Sequence, residues 1–196
     1  MSKVIIGMTM SLDGVAGGDL DPDGWAIHES IMAWVFNLAS WRSEQGQEGG
    51  EDSLDSRIWA DGFARVGPQV IGRGMFDVGY PYWGENPPFH APVFVVTHRL
   101  GATIEKQGGT SYTFQPDVKD AIECARAVAG DKDVLVAGGV SIAQQALAAG
   151  LADELVLHVS PVLVGRGKPL FANRANLRLI EAIPGDNALH LRYVPA

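Results

Sequence analysis

The chain has 196 residues, 46% hydrophobic and 19% charged, a globular mix that suits one domain and argues against a disordered or fibrous chain. Its net charge of −8 offers no basic excess for gripping a nucleic-acid backbone. The single cysteine, Cys124, cannot form an internal disulfide and fits a reducing cytoplasm, and no apolar run reaches the roughly 18 residues that span a bilayer.

Strand-like and helix-like segments alternate, which predicts an α/β fold. Residues 4–10 read as the first strand, with no signal-peptide layout ahead of it. It runs into Met10-Ser11-Leu12-Asp13-Gly14, where Asp13 either meets a ligand or shapes the turn. Residues 31–41 predict a helix burying Ile31, Val35 and Leu38. The acidic stretch 44–53, with three glycines, reads as a surface loop, and a short helix over 55–65 carries Ile58, Trp59 and Phe63. A strand at 69–71 follows. The proline-rich segment 79–92 predicts irregular chain wrapping the surface. The runs 93–97 and 133–137 suit strands covered on both faces. Between them lies an amphipathic helix capped by Asp117 and stopped at Gly130, in which Cys124 is structural. A helix over 141–149, a strand at Glu154–Ser160, and a hairpin of 177–183 with 188–194 around Pro184-Gly185-Asp186-Asn187 complete the pattern.

Three strand ends carry candidate binding chemistry. In Val136-Ala137-Gly138-Gly139-Val140-Ser141-Ile142, a buried strand turns through two glycines directly into a helix. Glycines admit close backbone approach, and a helix start offers free N–H groups to a phosphate; a tight turn without ligand is the plainer alternative. Val70-Ile71-Gly72-Arg73-Gly74 repeats this logic with an arginine that either meets phosphate or lies on the surface. Thr97-His98-Arg99 offers a hydroxyl, an imidazole and a guanidinium, a trio suited to a 2′-phosphate and hence to NADP, or else an exposed polar strand end. Neither Gly72-Arg73-Gly74 nor Gly165-Arg166-Gly167 completes a G-x-G-x-x-G fingerprint, and Gly167-Lys168-Pro169 is not a P-loop. No metal site is expected, since the five histidines lack ligand spacing and one cysteine cannot build a thiolate site.

Taken in order, Thr9-Met10-Ser11-Leu12-Asp13-Gly14, the Gly72, Thr97 and Gly138 segments, Gly150-Leu151-Ala152-Asp153-Glu154-Leu155 and Ser160-Pro161-Val162-Leu163-Val164-Gly165-Arg166-Gly167-Lys168-Pro169-Leu170-Phe171 cover most of the chain. The set resembles the dihydrofolate-reductase-like superfamily. Its nearer likeness is to the branch typified by the C-terminal, reductase half of the bacterial riboflavin-biosynthesis deaminase–reductase. The resemblance implies one domain over 1–196, a mainly parallel central sheet with helices on both faces, and an antiparallel C-terminal hairpin. It also implies NADPH across the strand ends. By the same resemblance Gly72, Arg73, Thr97, Arg99, Gly138, Gly139, Ser141 and Ile142 contact the cofactor, with Gly74, His98 and Val140 in the same segments, and Asp13 lies near the nicotinamide and substrate. Two departures stand out: Gly74-Met75 leaves the first turn without the threonine common in the family, and no paired-cysteine zinc motif of the deaminase half is present.

Residues 18–64 carry four of the five tryptophans. Trp25 and Trp59 are candidates to stack on a flat substrate, and helix packing or a dimer contact is the alternative. Asp55, opening its helix, is the best placed second acid. The combined expectation is a cytoplasmic, homodimeric NADPH-dependent reductase acting on a pterin, pyrimidine or flavin-precursor-like small molecule. It binds neither nucleic acid nor membrane, and Asp13 or Asp55, or a water held by one of them, supplies or relays the proton. The alternative is a non-catalytic dinucleotide-binding protein or ligand sensor on the same fold.

Overall fold

The apolar runs of the sequence become neighbouring strands. The computed structural model describes residues 2–19 and 21–196, and it is α/β, with a mostly parallel sheet and an antiparallel C-terminal hairpin. In chain order the elements are β1 (Val4–Ser11), β2 (Val15–Gly17), α1 (Pro22–Phe36), α2 (Ala39–Glu44), α3 (Leu54–Arg65), β3 (Val66–Gly72), α4 (Arg73–Trp83), β4 (Pro92–Val96) and β5 (Ile104–Glu105). They continue with β6 (Ser111–Gln115), α5 (Val118–Val128), β7 (Asp133–Gly138), α6 (Val140–Ala148), β8 (Glu154–Ser160), β9 (Lys168–Pro169), β10 (Leu177–Pro184) and β11 (Leu189–Pro195). The chain divides into two compact units, Met1–Gly7 with Arg65–Glu154, and Met8–Ala64 with Leu155–Ala196.

In the first unit the strands run β1-β7-β3-β4-β6-β5, parallel except for the edge strand β5. Val70, Ile71, Val93, Val95, Val134 and Val136 are buried, as continuous apolar runs in a parallel sheet should be. Ile71 sits opposite Gly138 and Gly72 opposite Val96, so β7, β3 and β4 end level with one another. Helix α5 begins where Asp117 accepts a hydrogen bond from the Asp120 amide and ends before Gly130, whose φ of +60° suits glycine. Arg65 donates to Asp133 at 2.7 Å and to the buried Glu154 at 2.6 Å, and these partners raise its pKa further.

One correction concerns 79–92. Residues 79–83 continue α4 despite Pro81, because Phe76, Tyr80 and Trp83 share one helical face and pack with Tyr112 and Phe89. Pro81 lies in the last turn, where a missing amide costs only one helical bond.

In the second unit β10, β11, β8 and β1 are ordered neighbours, and β2 pairs with β9. The helix expected at 31–41 is two helices. The first starts at Pro22, where Asp21 accepts from the Gly24 amide, and it ends at Phe36. Leu38 then turns extended to bridge Glu51, which separates α1 from α2. Trp34, Val35, Leu38 and Ala188 form one core here; Val15, Ile27 and Ile31 form another.

Candidate functional site

All eleven residues assigned to a cofactor lie in the first unit, at or just beyond the C-terminal ends of β3, β4 and β7. Helix α4 starts at Arg73 behind Gly72 and α6 at Val140 behind Gly139, and neither start has a side-chain cap. No side chain competes with an anion for the leading amides of either helix, although the Ile142 amide of α6 already donates to the Gly139 carbonyl. The glycines match close backbone packing. A Cβ on Gly72 would lie 2.9 Å from Ile142 Cγ1, Gly138 has φ +140°, and beside Gly139 there is open space to 4 Å. The chemistry fits a phosphorylated nucleotide: two uncapped helix starts, glycine backbone, two guanidinia and a hydroxyl on one rim.

The arginines already share an anion. Arg73 Nε donates to Asp77 Oδ1 at 2.6 Å, and Arg99 Nη2 donates to Asp77 Oδ2 at 2.8 Å. Those two guanidinia hold the Asp77 carboxyl below its ordinary pKa, against an opposing effect of burial. Arg73 also lies over the Phe76 and Phe114 rings, at 5.5 and 5.8 Å from their centroids. Thr97 is buried, with its Oγ1 accepting from the Arg99 amide, while His98 and Arg99 are exposed. Met75 packs against Gly138, its Sδ standing 3.2 Å from where a Cβ would be.

Asp13, Asp55, Trp25 and Trp59 belong to the second unit and do not form one cluster there. Asp13 is exposed and accepts from the amides of Val164 and Gly165, at 3.2 and 2.8 Å. Hydrogen bonds from Ser11 and these amides hold its pKa down to about 2, so near neutral pH it is an ionised loop fastener. Trp25 is 48% exposed and stacks on His28, 5.2 Å between centroids.

Asp55 is fully buried. Its Oδ2 accepts from the Asn187 amide and its Oδ1 meets His190 Nε2, both at 2.7 Å. His190 Nδ1 in turn lies 2.7 Å from His158 Nδ1. Trp34 packs on both histidines, with centroids 5.2 and 5.4 Å away, and Trp59 stands 6.2 Å from His158. Trp59 Nε1 donates to Glu44 at 2.9 Å, while burial lifts the Glu44 carboxyl to about 7. Burial and the neighbouring His190 push His158 down to about 3. Gly185 makes room for the chain: a Cβ there would strike Asp55 Oδ1 and come within 2.8 Å of His190 Nε2.

Sequence reading missed both histidines. They are 32 residues apart, on strands, and only the β8–β11 register sets them opposite one another. The available signal was a polar residue inside each of two apolar strands, Leu157-His158-Val159 and Leu189-His190-Leu191.

The model of the RibD C-terminal domain matches residues 2–191. The chain belongs to that family. This accords with the resemblance drawn from the motifs. An uncharacterized protein, YyaP, of Bacillus subtilis (strain 168) is 40% identical over 192 residues, covering 91% of this chain and 86% of its own length. Among solved structures, a candidate riboflavin biosynthesis protein of Shewanella sp. PV-4 superposes with a TM-score of 0.69 at 23% identity over 99% of both chains. RibD of Acinetobacter baumannii gives 0.58 at 18% identity over the whole of this chain and 58% of its own. A diaminohydroxyphosphoribosylaminopyrimidine deaminase/5-amino-6-(5-phosphoribosylamino)uracil reductase of Thermotoga maritima gives 0.57 at 12% identity, over 57% of its length. At these identities the solved structures speak for the shared fold.

Proposed function

We propose that residues 1–196 act as one reductase domain that uses NADPH to reduce a flat, polar heterocycle of pterin, pyrimidine or flavin-precursor type. The observation that carries this reading is the rim of the first unit, where Gly72, Thr97 and Gly138 end adjacent parallel strands and two uncapped helices begin. Strand-end crevices of parallel sheets are where such ligands bind. Membership of the RibD C-terminal family supports the reaction class.

NADPH, when bound, supplies the hydride. The chain's own work is to bind, orient and exclude water. The α6 start and the Gly138-Gly139 backbone serve the pyrophosphate, and Arg73, Thr97 and Arg99 serve the 2′-phosphate, the arginines exchanging Asp77 for it. Gly74, His98, Val140, Ser141 and Ile142 line the same turns. Asp13 positions the 164–165 loop, and Asp55 positions His190. Trp59 offers its ring to the heterocycle, with Trp25 the more exposed alternative. The same reading takes the protein to be a cytoplasmic homodimer acting on a small molecule rather than nucleic acid; among the described residues no helix is long and apolar enough to cross a membrane.

One observation favours a second reading, nucleotide binding without turnover: Asp55, the second candidate acid, is fully buried, and both of its oxygens are engaged. Titration with NADPH and NADH, read by tryptophan fluorescence, tests the cofactor assignment. NADPH binds more tightly, and Arg99→Ala removes most of the preference, about tenfold for one charge-assisted hydrogen bond. Equal affinities in the unmutated protein overturn the roles given to Thr97 and Arg99. Tight NADPH binding with no oxidation across a panel of flat heterocycles selects the second reading.

A further inference from the structure

Asp77 occupies the place where two cations of the rim converge. Arg73 stands one residue beyond the end of β3 and Arg99 three beyond the end of β4, and the register that pairs Gly72 with Val96 sets these strand ends side by side. Asp77 lies one turn into α4, at i+4 from Arg73. Its Oδ1 accepts from Arg73 Nε at 2.6 Å and its Oδ2 from Arg99 Nη2 at 2.8 Å. One carboxylate thus gives one oxygen to each of two guanidinia, the bridging contact that two oxygens of a phosphate make with a pair of arginines.

The three side chains are held unequally. Arg73 is half-buried and lies over the Phe76 and Phe114 rings, which keep it in place whatever anion it meets. The Arg99 side chain is exposed, and among the described residues it has no hydrogen-bond partner other than Asp77. Asp77 is exposed too. A solvent-exposed ion pair is worth little, so the carboxylate can turn out into water when an anion of higher charge arrives. A phosphate monoester is such an anion, with about −1.5 to −2 charges near neutral pH against one for the carboxylate.

We propose that Asp77 is a resident anion that closes a phosphate subsite formed by Arg73 and Arg99. A phosphate monoester enters only by displacing the carboxylate, and this competition sets how strongly the rim prefers a phosphorylated ligand over its unphosphorylated analogue. Asp77 is therefore a specificity-determining residue that acts against binding. It lowers affinity for NADPH, whereas NADH carries a hydroxyl in place of the 2′-phosphate and leaves the carboxylate where it is. That the entering group is the 2′-phosphate of NADPH rests on the reductase reading given above; the exchange of anions does not.

Inorganic phosphate, titrated into the nucleotide-free full chain, is the first probe, with the Nε–H signals of Arg73 and Arg99 followed by NMR. Asp77→Asn binds phosphate about tenfold more tightly than the unmutated protein, and Asp77→Glu, which restores the charge, returns it to the unmutated value. NADPH and NADH are then titrated into the same three proteins. Asp77→Asn gains about tenfold for NADPH and stays within about twofold for NADH. Phosphate binding that is unchanged or weaker in Asp77→Asn overturns the proposal, because Asp77 then holds the arginines ready for an anion instead of competing with it. Asp77→Glu binding phosphate as tightly as Asp77→Asn, or phosphate shifts confined to other residues, overturns it as well. Tighter phosphate binding in Asp77→Asn with no gain for NADPH upholds the exchange and rejects the cofactor at this subsite, so the two readings fail separately.

Discussion

The two units treat their charged and polar side chains in opposite ways. In the first, Arg73, Arg99 and Asp77 meet near water: the Arg99 and Asp77 side chains are 69% and 37% exposed. In the second, Asp55 and His190 are sealed, with side chains 0% and 5% exposed. An exposed ion pair exchanges its partner for solvent or for a ligand at little cost, whereas a buried group that loses its partner keeps the whole desolvation penalty. The rim is therefore built for exchange and the Asp55 chain for fixed geometry.

The largest expected effect breaks the buried side of this contrast. Asp55→Ala leaves His190 Nε2 and the Asn187 amide without their acceptor and lowers unfolding free energy by about 3–5 kcal/mol in urea melts. Gly185→Ala does comparable damage without touching either partner, because its methyl group occupies the Asp55–His190 contact. A loss below about 1 kcal/mol for both variants ends the claim that the chain is rigidly held.

The pH dependence sharpens the same point. Unfolded His158 binds a proton below 6.5, whereas in the fold it stays neutral down to about 3, so stability is lost as pH falls through that window. The slope is on the order of 1 kcal/mol per pH unit. Glu44 acts in reverse: in the fold it keeps its proton up to about 7, but unfolded only to 4.5, so stability is lost as pH rises between these values. Between 4.5 and 6.5 the two contributions oppose each other and largely cancel. Thermal melts of Glu44→Gln then fall steeply on acidification, and those of His158→Gln rise. Parallel profiles for both variants contradict the burial of one or the other.

Smaller effects belong to the exposed side. Asp13→Asn weakens the acceptor of the Val164 and Gly165 amides, and hydrogen exchange at those two positions speeds up while global stability stays within experimental error. Asp77→Asn changes stability by less than about 0.5 kcal/mol in the same urea melts. A cost near that of Asp55→Ala would erase the distinction between the two regions.

Much of this was legible in advance. Apolar runs located β1, β3, β4 and β7 of the first unit but not β5 and β6 at one end of the sheet, and the glycines at 72, 138 and 139 marked where strands turn into helices, because backbone approach without a Cβ is a local requirement. Helix α5 announced both ends, with Asp117 and Gly130. The helical course of 79–83 was hidden, since Pro81 is a strong local signal and the packing of Tyr80 and Trp83 on Tyr112 is not local. Arg73 and Arg99 were visible as cations; that Asp77 lies between them depends on the parallel pairing of β3 with β4.

Sequence by itself determined the α/β class, the family, and the residue types at the strand ends, because these depend on periodicity and on motifs a few residues long. Tertiary structure alone decided which polar groups meet. Asp55 and His190 are 135 residues apart, and His158 joins them through cross-strand register. Burial then turned those contacts from optional to obligatory, since only inside the packed second unit do water and alternative partners cease to be available.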